Sequence, residues 1–261
     1  MPTLQFLMWS EDMTEQAQDY NLEELMAIVI SRLVMDFETI GVGAASPVPA
    51  AGSILAKQLH APHVQIIMLG SKEREYYPFP AGSSELHFLA QRGDLDLFFL
   101  SGIQIDRKGN INLHVIGDYE NPRMRLPGAY GSAMLYYMAR RVILFRTEHT
   151  TRSLVERVDF ITAPGVTPAS VHRKGGPCLV VTPKASLAWD QQAAEWALDA
   201  IHPGASEEEI KENTGFPLKV SPSIKATPPP TDRELLILRT IVREKLKPTY
   251  PDFAQKKIRA A

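Results

Sequence analysis

An α/β fold, an open parallel or mixed sheet flanked by helices, is what this 261-residue sequence predicts. Short apolar, β-branched runs recur along the chain, segments of helical spacing fall between them, and several of the runs end in small residues as a strand-to-loop turn requires. At ~150 residues per domain, the length suits one large domain or two small ones. With 44% hydrophobic and 22% charged residues, the chain can bury a substantial core.

Taken in order, residues 1–20 form an N-terminal extension with no basic leader or small-residue cleavage signal, so they do not read as a secretory peptide. The main domain spans 21–247. Asn21 and Glu24 make a capping box for a helix whose apolar face runs Leu22, Leu25, Met26, Val29, Leu33 and Phe37. Thr39 to Gly43 reads as a strand, the turn through Ser46 and Pro49 follows, and Ala50 to His60 is helical. Val64 to Leu69 and Leu95 to Leu100 are further strands, ending in Gly70-Ser71 and Ser101-Gly102. Ile103 to Val115 is a hairpin around Asp106 to Asn110. Ala133 to Arg140 is helical, and Val142 to Arg146, Arg157 to Ile161 and Leu179 to Thr182 are β-rich. The prolines between Val220 and Pro230 predict an extended connector with no regular element. Thr231 and Glu234 then cap a late helix through Leu235, Leu238, Ile241 and Val242, and 248–261 is a tail that is mobile or held by a partner.

Composition excludes several functions. Twenty-eight basic against 30 acidic residues leave a charge of −2, with no excess to neutralise a nucleic-acid backbone. The apolar helix at Leu25 to Phe37 is too short for a bilayer, so no membrane is expected. One cysteine, Cys178, excludes an internal disulfide and a multi-cysteine zinc site, and fits the reducing cytoplasm.

Among candidate sites, Gly41-Val-Gly43-Ala-Ala-Ser46 has the place of a phosphate-binding turn, but Pro47 and Pro49 remove amide donors and a tight crossover is the better reading. Pro62 breaks the face that would join His60 and His63 on a metal, so no metal site is expected. Cys178 reads as a small apolar residue. Lys72-Glu73-Arg74-Glu75 has the pattern of a solvated loop yet follows a strand's C-terminal end, where α/β proteins bind ligands. Leu126 to Ala133 holds Gly128, Gly131 and Ser132 before a helix and can turn backbone donors toward an anion. Leu69, Tyr76, Tyr77, Phe79 and Tyr130 fall in or beside these loops, where they line a bulky-substrate site or meet a partner chain.

Several stretches together resemble the B (β) subunit of family I CoA-transferases, of the glutaconate CoA-transferase kind. They are Gly41 to Leu59, the His60-Ala-Pro62 step, Gly102-Ile-Gln-Ile-Asp-Arg-Lys-Gly-Asn-Ile-Asn112, Arg125-Leu-Pro-Gly-Ala-Tyr-Gly131, Glu156 to Gly165 and His202 to Phe216. The resemblance implies an open α/β sheet, an A-type (α) partner subunit, and coenzyme A bound as an acyl-CoA thioester near the junction of the two chains, with no covalently bound cofactor. It also implies a glutamate nucleophile, which forms an anhydride and then a glutamyl-CoA thioester, at the end of the strand Val64 to Leu69. Here that position is Leu69, followed by Gly70-Ser71. Gly102, Gly128, Gly131 and Ser132 fall on the family's oxyanion or CoA-binding loops, Ser132 replacing a glycine. With leucine unable to attack, the carboxylate comes from Glu73 or Glu75 on the loop or from the A chain. Otherwise the pair is a hydrolase in which a general base replaces the nucleophile, as in the steroid-catabolic branch that cleaves a ring of a CoA thioester with water, or this chain only shapes the CoA pocket for its partner.

Overall fold

The computed structural model describes residues 20–80 and 82–261, so the extension at 1–20 lies, except for Tyr20, outside the described residues. In chain order the elements are α1 (Leu22–Ser31), β1 (Thr39–Val42), α2 (Pro47–Leu59), β2 (Gln65–Met68), α3 (Ser84–Arg92), β3 (Leu97–Leu100), β4 (Gln104–Asp106), β5 (Ile111–Asn112), β6 (Val115–Gly117) and β7 (Pro122–Arg125). There follow α4 (Ser132–Met138), β8 (Arg141–Phe145), β9 (Leu154–Val155), β10 (Pro177–Val181), β11 (Ala185–Asp190), β12 (Glu195–Ile201), α5 (Glu207–Glu212) and β13 (Lys219–Ala226). The chain ends in α6 (Asp232–Ile237), a π-helical turn at Leu238–Val242, α7 (Arg243–Leu246) and α8 (Pro251–Lys256).

Eight strands form the main sheet in the order β13-β12-β11-β10-β8-β3-β1-β2. The run from β2 to β10 is parallel, and β11 lies antiparallel to both of its neighbours, so the sheet is mixed. β3 is buried at all four positions, the continuous apolar pattern of a strand covered on both faces. One face is covered by α1, α2, the late helices and residues as far as Ile258; the other by α3, α4 and the small sheets built on the predicted hairpin.

The capping box forms at α1, where the Asn21 side chain accepts from the Glu24 amide and the Glu24 carboxylate from the Asn21 amide. The helix stops at Ser31, whose hydroxyl bonds back to Ile28 O at 2.7 Å, and does not run on to Phe37. Phe37 has a φ of 64° and stacks, exposed, on His63. Glu24 is fully buried, and both its oxygens are taken by Arg239 at 2.9 and 3.0 Å, while Oε1 also accepts the Arg259 amide. A buried carboxylate is tolerable on such terms, and it ties α1 to the π turn and to the chain end.

Three expectations are corrected. The proline-rich stretch is not without structure, since β13 pairs with β12 through a register shift. It is the last strand in the sheet, where Pro222 can sit without breaking a ladder on both sides. Arg157 to Ile161 forms no strand. Its backbone is held by side chains instead, Val158 N donating to Asp106 Oδ2 and Asp159 N to Gln104 Oε1. The tail 248–261 is not a loose end, because α8 packs Ala254 and Ile258 into the chain's own core, at 0% and 2% exposure. Asn21 Nδ2 and Arg243 Nε donate to the carbonyls of Lys257 and Ala254 in that segment.

Two buried histidines sit near the antiparallel side of the sheet. His149 lies between the hydroxyls of Thr182 and Thr214, at 2.8 and 3.0 Å, and His202 Nδ1 is 2.7 Å from Thr227 Oγ1 while its Nε2 has no partner. Burial pushes each imidazole down to about 4 from 6.5. The unfolded chain therefore binds more protons than the native one below pH 6.5, so stability holds above that value and is lost as the pH falls toward 4. Denaturant midpoints at pH 7 and 4.5 check this, with the double variant H149Q/H202Q expected to lose less than the wild type over the same interval. Ile258→Ala is expected to cost about 2 to 4 kcal/mol, the loss typical of a buried Ile. An unchanged midpoint would mean that the tail is not docked.

Candidate functional site

At the C-terminal ends of four neighbouring parallel strands lies a cavity of about 430 Å³. Its floor is made by residues that leave β1 (Gly43 to Ser46), β2 (Leu69), β3 (Leu100 to Ile103) and β8 (Arg146), and its wall by Leu113 and the segment Leu126 to Ser132. β1 connects to β2 on one side, and the chain then crosses back to β3 on the other, so the cavity opens at the point where strand order reverses.

Each wall has a local cause. Leu69 N donates to Val42 O at 3.0 Å, extending the ladder by one residue, and Gly70 at φ 86° turns the chain away. Ser101 Oγ donates to Phe145 O at 2.7 Å and ties the end of β3 to that of β8. The wall segment is drawn against the hairpin by Leu126 N on His114 O and Gly128 N on Leu113 O. Positive φ at Gly128, Tyr130 and Gly131 makes the tight bend into α4. A Cβ on Gly131 would lie 2.2 Å from His87 Nε2, so a larger residue here would also have to displace that imidazole.

Of the residues singled out in the sequence, Leu69, Gly102, Gly128, Ser132 and Tyr130 meet in this cavity. Gly131 caps α4 just behind it. The amides of Gly128 and Ser132 are spent on the carbonyls of Leu113 and Ala129, so this turn shapes a wall and does not aim those two donors at an anion. Gly70 and Ser71 lie past the cavity: Ser71 is buried with its hydroxyl 3.0 Å from Thr249 Oγ1. From there the loop folds back, and Met68 N donates to Tyr76 O. Tyr76 is buried in the core under the late helices, far from its expected place on the site loops. Tyr77 and Phe79 pack against the opposite core and likewise do not line the cavity. Glu73 and Glu75 are exposed on this loop and outside the cavity lining, and Glu75 pairs with Lys245 at 3.3 Å.

The turn after β1 behaves as a crossover. Pro47 occupies the first turn of α2, Ser46 Oγ donates to Ala44 O, and the Ser46 amide points to Tyr250 Oη at 3.4 Å. His60 and His63 take separate partners, Val34 O and Asp36. Cys178 is half-buried, and burial pushes its thiol up, as suits a packing residue.

Sequence reasoning passed over Arg146, the one charged side chain in the lining among the described residues. Its signal was a cation immediately after the apolar run Val142 to Phe145. Its Nη2 donates to Glu148 Oε1 at 2.6 Å, and its Nε is buried with no partner. No carboxylate lines the cavity among the described residues.

A family model described as Coenzyme A transferase matches residues 66–213. The chain is 30% identical over 246 residues to the B-type subunit of the 3-oxoadipate CoA-transferase of Pseudomonas knackmussii, across 85% of this chain and 93% of the relative. To the B-type subunit of the glutaconate CoA-transferase of Acidaminococcus fermentans it is 29% identical over 239 residues, 81% of this chain and 88% of that one. The crystal structure of glutaconate CoA-transferase from the same organism superposes with a TM-score of 0.76 at 24% identity, over 93% and 99% of the two chains. The decarboxylase AibA/AibB shares the fold, with a TM-score of 0.74 at 23% identity over 92% of this chain and 99% of the other. With a family model covering more than half its length and a relative matched along most of both sequences, the chain belongs to the coenzyme A transferase family.

Proposed function

We propose that the chain is the B-type subunit of a heteromeric cytoplasmic enzyme acting on an acyl-CoA thioester, and that it supplies the acyl-binding wall of a site completed by an A-type subunit. Coenzyme A enters as part of the substrate, with no covalently held cofactor. The observation that carries this reading is the cavity itself. It lies at the strand ends where the family resemblance places the reacting thioester, and its lining is almost wholly apolar.

Leu69, 5% exposed, fills the nucleophile's position with hydrocarbon. A leucine can pack against an acyl chain but can neither attack a thioester nor store CoA. That no carboxylate lines the cavity among the described residues favours a second reading, hydrolysis, in which a base on the A-type subunit activates water. Water oxygen then bonds to the thioester carbon, the C–S bond breaks, and the thiolate leaves with the displaced proton. In either reading Glu73 and Glu75, turned out to solvent, stand apart from the reacting atoms.

The test uses the complex with the A-type subunit. Glu73→Gln and Glu75→Gln are expected to keep kcat/KM within about twofold of wild type, since neither removes a group from the transition state. Peptide mass spectrometry after exposure to acyl-CoA should find no CoA on this chain. A glutamyl-CoA adduct at either residue, or a collapse of turnover in its variant, would restore transfer through the loop.

A further inference from the structure

We propose that the chain carries a second ligand site, for the linked phosphates of a small molecule, at the edge of the sheet opposite the cavity described above. This goes beyond the acyl-CoA reading and does not depend on it.

A cavity of about 520 Å³ lies where β8 and β10 begin. Arg141 and Pro177 are the first residues of those parallel strands, and β11, running back against β10, returns Trp189 to the same edge. Arg146 leaves the other end of β8, five residues on, which sets the two cavities roughly 17 Å apart along the strand. A ligand here is therefore separate from whatever binds at Leu69.

The lining holds Arg140, Arg141 and Lys174, and no acid among the described residues. Acids behind the wall answer only part of this charge. Arg141 Nη2 donates to Glu38 Oε1 at 2.6 Å, and Arg140 Nη1 lies 3.2 Å from Asp96 Oδ1. The other oxygens of these two carboxylates already accept the amides of Met35 and Thr39. Lys174 Nζ donates to the carbonyl of Gln91 in the last turn of α3, and Arg173, in an adjoining cavity of about 220 Å³, donates to the carbonyls of Gly175, Pro164 and Tyr136. Four cations thus gather about two carboxylates. A concave surface of one sign concentrates counter-ions, and guanidinium groups match the paired oxygens of a phosphate. A lone carboxylate would engage one of these cations, whereas linked phosphates can engage several.

The groups are held before any ligand arrives, so little ordering is left to oppose binding. Arg140 N donates to Leu95 O, and the amides of Lys174 and Gly175 both donate to Tyr137 O. Arg173 stacks over the rings of Tyr136 and Tyr137, at 4.9 and 4.8 Å. Trp189, half-buried, lines both cavities, which share Gly175, Gly176 and Pro177. Its indole gives a flat apolar wall beside the cations, a surface that the base of a nucleotide can cover and a free polyphosphate leaves bare.

The experiment is calorimetry of the two-subunit complex with ADP and with inorganic pyrophosphate. Binding is expected once per B-type chain, and the double variant R140Q/K174Q, which alters two exposed side chains, should weaken it by about tenfold or more, the scale of charge-assisted bonds. The affinity for acyl-CoA should stay as in the wild type. ADP held more tightly than pyrophosphate, with that preference lost in Trp189→Leu, upholds the site for a nucleotide; equal affinities lost together in R140Q/K174Q uphold it for a free polyphosphate. Binding of neither probe, or an affinity that R140Q/K174Q leaves unchanged, overturns the inference. Equal weakening of ADP and acyl-CoA in that variant also overturns it, by making these cations part of a single CoA site.

Discussion

The site exists because four parallel strands end within two residues of one another in register. Met68, Val42, Phe99 and Ile143 are register partners across β2, β1, β3 and β8, and β3 runs one residue and β8 two residues beyond them before their exits meet at the cavity. The spacing between these strands leaves no slack. A Cβ on Gly41 would stand 2.7 Å from Phe98 Cδ2, so the bare backbone of β1 is what leaves room for that ring. Because both faces are buried, a one-residue slip would carry Ile40 and Val42 to the wrong face and would also move Leu69 off the cavity floor. Core packing and site geometry thus depend on the same register.

Leu69 leaves its end of that floor without charge. A carboxylate there would have needed partners, and Arg146, three strands away across the same cavity, would have shared an enclosed space with an opposite charge. With hydrocarbon at one end, the described lining of the cavity carries a single cation at the other. The scaffold itself does not decide the chemistry, as the presence of transferases and a decarboxylase on this fold illustrates.

Much of this was legible in the sequence where local physics decides. The capping boxes at Asn21 and Thr231 form as their spacing requires, and the Asp106 to Asn110 turn closes through Asp106 Oδ1, which accepts from the amides of Lys108 and Asn110. The β-runs read as Val64 to Leu69 and Leu95 to Leu100 are strands whose exits build the cavity. Illegible features depend on distant partners. Nothing local distinguishes Arg157 to Ile161 from a strand, because its amides are claimed by Asp106 and Gln104, some fifty residues earlier. Nor does the apolar periodicity that would carry α1 to Phe37 reveal that Ser31 ends the helix. Arg146 drew no reading from the sequence, since only the sheet order brings the end of β8 beside β3 and into the cavity with Leu69.

The loop after Leu69 shows how the far end of the chain shapes the site. Ser71 meets Thr249, Glu75 meets Lys245, and Tyr76 is buried beneath the same late helices. Those helices are held in turn by Glu24, whose buried carboxylate grips Arg239 and the Arg259 amide. A surface pair such as Glu75 with Lys245 is worth little by itself, but Tyr76 is fixed by burial and by the Met68 amide on its carbonyl, which leaves the intervening residues little freedom. The turn therefore has one direction open to it, away from the strand ends, and both loop glutamates travel with it. Bringing either carboxylate over the cavity would require withdrawing Tyr76 from the core, at a cost on the scale of a buried aromatic side chain, about 3 kcal/mol or more. The same packing that seats the C-terminal helices thus keeps the cavity floor free of acid.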